Sequence, residues 1–286
     1  MHTLVHTLLR CAVAAMAGLI LSASARAQVQ PRAASNPEDL INWYYAATFG
    51  TGVYTSGDRT VSVLQLPFSH QLRTVAEDGS GLKFKVSTTF GFYDYSFDSA
   101  LEGNIPDRVG TFSILAGLEW EFPLSRRWTI RPYFDAGGGQ ELEGRQSAWI
   151  YDVGVKSRFL LAQDHGVDFM LVNSLTSAGY RPRGGPNTPF GYLATGVDIN
   201  VPTEGSLFGR PVNIGITPIY YYYFSRLRFA EFSEPDNRIR EEFELAVSMV
   251  ARKPWSLKFF DVERLGLAIR TSAEVSGVSL FTSLPF

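Results

Sequence analysis

From about residue 43 to the carboxyl end, the chain repeats one pattern: apolar side chains at every second position, held over stretches far longer than an ordinary strand. Leu82, Phe84, Val86, Phe90 and Phe92 alternate with Lys83, Lys85, Ser87, Thr89 and Gly91. Phe112, Ile114, Ala116, Leu118, Trp120 and Phe122 alternate with Thr111, Ser113, Gly117, Glu119 and Glu121, with Leu115 the exception. Successive residues of a strand point to opposite faces, so this pattern builds a sheet with one apolar and one polar face. The same alternation runs through residues 149–161, 193–201, 243–252 and 264–270. In the first of these it puts Val153 and Val155 on the apolar face and Asp152, Gly154 and Lys156 on the polar one.

About twelve such strands follow one another, near 43–54, 59–73, 81–97, 108–122, 128–140, 146–161, 167–180, 189–202, 210–229, 238–253, 262–272 and 276–286. Soluble strands average ~5–6 residues, whereas a membrane-crossing strand needs ~9–11. Length therefore argues against a soluble sandwich. In hydrocarbon every backbone amide needs a partner, so such a sheet must close on itself. The reading is an all-β fold: a transmembrane antiparallel up-and-down β-barrel of about 12 strands, preceded by a short helix that Asn36-Pro37-Glu38-Asp39 would start. Aromatic residues toward strand ends, among them Trp120, Phe122, Trp128 and the run Tyr220 to Phe224, fit interfacial girdles. Tight turns at Pro123–Arg126 and Gln163–Gly166 mark one end of the barrel, although Thr203–Gly209 and Pro254–Asp261 read as long turns on that end. Longer connections such as 99–107 and 230–237 mark the other.

The first 27 residues have a different character. Arg10 precedes an apolar core from Ala12 to Ala23, and Ala25-Arg26-Ala27 forms a small-x-small cleavage site. This is the pattern of a secretory signal peptide (1–27), too short in its apolar part to span a bilayer. A leader (28–40) and the barrel (41–286) follow. The single cysteine, Cys11, lies within the signal peptide, so residues 28–286 carry no thiol for disulfide, metal or nucleophile. Export plus a membrane barrel implies the bacterial outer membrane, with its lipid and lipopolysaccharide as surroundings. A net charge of −2 gives no electrostatic footprint for nucleic acid.

The polar face carries charges of both signs: Lys83, Lys85, Arg131, Lys156, Arg158, Arg252, Arg264 and Arg270 against Glu119, Glu121, Asp135, Asp152, Asp198, Glu242 and Glu244. Two arrangements follow from this. The charges pair across a narrow interior and hold its shape, or they form a constriction that selects solutes. The first is the expected one.

The carboxyl end places Val278, Leu280, Thr282, Leu284 and Phe286 on one face. A terminal Phe with alternate hydrophobics behind it resembles the signature that the barrel assembly machinery of the outer membrane reads. Taken with the strand count, the leading helix and the segment Ile130–Gly137, residues 40–286 are similar to the translocator barrel of autotransporters, and more narrowly to the solitary autotransporter-like barrels that lack a passenger. The resemblance implies a barrel with a structural or interaction role and a narrow polar lumen. Penultimate Pro285 and polar Thr282 depart from the signature.

No catalytic constellation stands out. Beyond the signal peptide there are two histidines, and His70 follows Ser69, so on a strand the two point to opposite faces. His165 falls in a turn. Gly137-Gly138-Gly139 lacks the Lys-Ser/Thr and helix of a phosphate loop. No enzyme activity, cofactor or metal is expected. A small porin-like diffusion channel is the alternative, and a barrel lipid hydrolase a more distant one.

Overall fold

The computed structural model describes residues 50–56, 59–75, 79–93, 110–142, 146–227, 239–257, 260–273 and 275–284. The signal peptide with Ala25 and Ala27, the leader, the helix near Asn36, the start of the first strand, residues 94–109 and Phe286 lie outside them. The compact unit Asn42–Phe286 contains the fold.

Twelve strands are present among the described residues: β1 (Thr51–Ser56), β2 (Arg59–Arg73), β3 (Gly81–Tyr93), β4 (Thr111–Ser125), β5 (Trp128–Glu141), β6 (Ser147–Asp164), β7 (Val167–Pro182), β8 (Thr188–Leu207), β9 (Arg210–Leu227), β10 (Ile239–Leu257), β11 (Phe260–Thr271) and β12 (Ser276–Phe281). Each pairs antiparallel with its neighbours in sequence, and β1 pairs with β12 from Thr51↔Leu280 to Thr55↔Ser276, closing the barrel. This pairing joins the first strand to the last, which is the answer to the edge-strand problem that the long alternating sequence poses. The seam is short. β1 and β12 have six residues each, while β8 has 20.

The alternation sorts residues as the sequence implies. Leu64 and Leu66 of β2, Phe84 of β3, Ile114 of β4, Phe134 of β5, Leu193 of β8, Ile216 of β9, Phe243, Leu245 and Val247 of β10, Leu267 and Ile269 of β11, and Val278 and Leu280 of β12 all face outward and are exposed. Ile269 keeps 61% of its surface accessible. An exposed apolar belt drawn from so many strands is the kind of surface that marks a membrane or partner contact. Leu115, the exception in its strand, is buried inside.

Two of the turns are tighter, and the strands longer, than the sequence indicates. β8 continues through Pro202 to Leu207, and the connection to β9 is only Phe208-Gly209. Both residues have positive φ, 50° and 75°, and His165-Gly166 repeats this at 47° and 82°. Paired positive φ values are those of the primed hairpin turn, whose twist matches that of the flanking strands. β10 likewise runs through Pro254 to Leu257. In both places the ladder shifts register, between Pro202 and Ser206 and between Val250 and Trp255. A bulge accommodates a proline that lacks a ladder donor, so the proline does not end the strand. At the carboxyl end the opposite holds: β12 stops at Phe281, and Thr282 accepts a hydrogen bond from the Arg264 amide through its carbonyl (3.3 Å).

The aromatic run on β9 is divided between the two faces. Phe224 is exposed, and Tyr220 stacks at 5.1 Å on outward-facing Phe243, while Tyr221 and Tyr223 are buried inside. Only alternate members of that run belong to an outer girdle.

Candidate functional site

The inner face of the barrel carries a network of ionic side chains around a cavity of about 530 Å³, which near the short seam also reaches the outward-facing Leu64, Leu66 and Leu280. Eleven of the charges read from the sequence line that cavity: Lys83, Lys85, Glu119, Arg131, Asp135, Asp152, Lys156, Arg158, Glu244, Arg264 and Arg270. Asp198 and Glu242 are buried and bonded to Arg264 and Arg270. Glu121 sits beside Gly81, apart from the cavity, and Arg252 is exposed at the rim, bonded to Asn213 and to the Thr203 carbonyl. Arg252 lies beside the β10 bulge, where alternation no longer reports which face is interior.

Three clusters make up the network. In the first, β11 supplies Arg270 and β10 supplies Glu242 and Glu244. Arg270 Nη2 lies 2.6 Å from Glu244 Oε2, and Nη1 lies 3.7 Å from Glu242 Oε2. Tyr223 donates its hydroxyl to Glu242 Oε2 at 2.6 Å, and Arg270 donates to the Tyr221 hydroxyl at 3.0 Å while stacking 4.4 Å over its ring. Glu242 is 0% exposed; Tyr223 and Arg270 both meet its Oε2, while its Oε1 is buried without a hydrogen-bond partner.

In the second, Arg264 of β11 reaches Asp198 of β8 in a two-pronged contact, Nη1 to Oδ1 at 3.2 Å and Nη2 to Oδ2 at 2.9 Å. Thr217 of β9 donates to the same carboxylate at 2.7 Å. The guanidinium fork matches a carboxylate in this way because both are planar and their two donors and acceptors are similarly spaced.

The third lies on β3–β6. Glu119 is shared by Lys156 at 3.3 Å, Arg131 at 3.6 Å and Lys85 at 3.8 Å. Lys85 also binds Asp135 at 2.8 Å. Beneath them lies Tyr133, with the two ammonium groups 4.5 and 5.1 Å from its ring centre, and its hydroxyl is bonded to Asp152 (3.1 Å) and Thr176 (3.0 Å). Tyr133 packs over Gly154. A Cβ there would fall 2.8 Å from the ring and 2.6 Å from the Leu175 carbonyl. Glycine is required by this close approach, and a larger residue would not fit.

The sequence reading omitted the tyrosines that hold the carboxylates and Glu263, which lines the cavity and pairs with Lys83 at 3.6 Å. Tyr133 shares the parity of Arg131 and Asp135 on β5, which is a signal along the chain, whereas β9, which carries Tyr221 and Tyr223, has none of the inward charges that would set one. Leu280 is exposed outside and also borders the cavity, whereas Leu284 is buried against it, because the chain bends inward after Phe281. Ser69 borders the cavity, and His70 faces outward and is exposed. His165 is an exposed turn residue beside Asp164, 2.7 Å away.

Toward the long connections the interior is lined by buried side chains. Tyr54, Ile150, Ala178, Phe190 and Tyr223 are all buried there, together with Thr89, Thr111 and Ser113. No protein-family model and no curated protein sequence matches this chain.

Proposed function

We propose that the chain is an integral outer-membrane β-barrel whose role is structural or interactive, a side-chain-filled cylinder set in lipid. The observation that carries this reading is the pairing of an outward apolar belt with an inward network of ion-paired side chains. Lipid is the solvent that favours the first, and a closed interior is the place that tolerates the second. The signal-peptide pattern supports export, with outer-membrane lipid and lipopolysaccharide as the barrel's surroundings. The strand count supports likeness to the passenger-less autotransporter-type barrel, and the terminal residues Leu280 to Phe286 would engage the assembly machinery during insertion. The reading includes no catalytic step and no cofactor.

Planar-bilayer recording of refolded residues 28–286 tests the filled interior. A quiet bilayer, or brief flickers, is the expected result. The cavity favours a second reading, a narrow diffusion channel, and a stable ohmic conductance would establish that reading in place of the first.

A further inference from the structure

We propose that the lumen cavity is a binding site for a small solute carrying an oxyanion, a carboxylate or a phosphate, seated on Arg158. The inference rests on the barrel reading but not on whether the lumen conducts. It begins from how differently the interior arginines are treated. Arg264 and Arg270 each have a carboxylate oxygen within 2.9 Å. Arg158 lines the same cavity from β6, yet its Nη2 meets only the Met170 sulfur at 3.7 Å, and its Nε is buried with no hydrogen-bond partner. Among the described residues no carboxylate forms an ion pair with it.

The neighbouring wall has no carboxylate to spare. Lys83 is held by Glu263 and Lys85 by Asp135, which leaves Glu119 to serve both Arg131 and Lys156, at distances of 3.3 Å and more. Asp152, the remaining carboxylate of this wall, accepts from Tyr133. Glu263 and Asp198 lie near enough to act on Arg158 electrostatically, but each is in direct contact with another cation, so Arg158 is left with no carboxylate touching it. A buried guanidinium nitrogen with no hydrogen-bond partner is costly, and a guanidinium is the side chain best shaped to take an oxyanion by two parallel bonds. A cavity of about 530 Å³ is within the range that holds small organic ligands.

Calorimetric titration of the refolded barrel in detergent, with citrate and with inorganic phosphate as probes, tests the site. The buffer is an amine, and chloride is the only other anion, at fixed ionic strength. Saturable binding of at least one probe is expected. Arg158→Met should weaken it by at least about tenfold, and Arg252→Met at the rim should leave it unchanged. Arg158→Lys, which keeps the charge and the fold but loses the two-pronged geometry, should bind more weakly than the unmodified protein. Absence of saturable binding, or equal affinity in both Arg158 variants and the unmodified protein, overturns the proposal. A barrel that resists unfolding in detergent but binds neither probe overturns the site alone. A chain that never acquires that resistance overturns the barrel reading beneath it.

Discussion

Arg264 and Asp198 face each other across two intervening strands, joined by two hydrogen bonds of 3.2 and 2.9 Å, and neither is more than 5% exposed. The pair ties β11 to β8 inside the barrel, where the backbone ladder connects only adjacent strands. Removing one partner leaves the other charged and out of water. Arg264→Met should therefore destabilise the barrel by ~3–5 kcal/mol, whereas replacing both members, with Asp198→Leu added, should recover much of the loss. Urea midpoints of the three proteins folded into lipid vesicles check this. Equal stability of Arg264→Met and the unmodified chain would show that the pair contributes nothing to the fold.

Gly154 yields a second expectation. The alternation puts Gly154 on the polar face of its strand, and the register does place it inward, opposite Tyr133. The Tyr133 ring and the Leu175 carbonyl leave no space for a Cβ, so Gly154→Ala should lower stability by ~1–3 kcal/mol, the usual range for overpacking. Because the carbonyl contact remains, adding Tyr133→Ala should not restore the midpoint. Full restoration would assign the whole effect to the ring.

The division between what was legible in the sequence and what was not follows the physics of each signal. Period-two alternation is local and repeated, so faces, strand number and most interior charges could be read directly, down to Leu115 as the apolar residue that points inward. Bulges break that parity without changing composition. Beside the shift between Val250 and Trp255, consecutive Glu263 and Arg264 both border the cavity, and Arg252 moves to the rim. Prolines 202 and 254 look like strand ends for the same reason. Which carboxylate meets which cation is a matter of tertiary distance. Nothing along the chain indicates that Arg158 would meet a methionine while Arg264 meets an aspartate.

A third expectation concerns the outer face. Leu245 lies in the middle of the belt on β10, between inward-facing Glu244 and Ala246. Leu245→Arg should cost ~2–4 kcal/mol in a bilayer, and Phe208→Arg, in the tight turn at the barrel end, ~0–1 kcal/mol. Refolding yields and urea midpoints in vesicles separate the two, and equal penalties would mean that the belt is not at the bilayer midplane.

An apolar belt set in hydrocarbon admits oxygen and excludes polar reagents, and spin-label accessibility reads that difference. Residues 28–286 contain no cysteine, so a single nitroxide can be placed at Ile269→Cys on the belt and at Arg252→Cys on the rim with no background label. In the refolded, vesicle-embedded protein, the label at 269 should collide freely with oxygen and be shielded from a water-soluble nickel complex, with the reverse at 252. Nickel access at 269 equal to that at 252 would place the belt in water and contradict the membrane-embedded barrel.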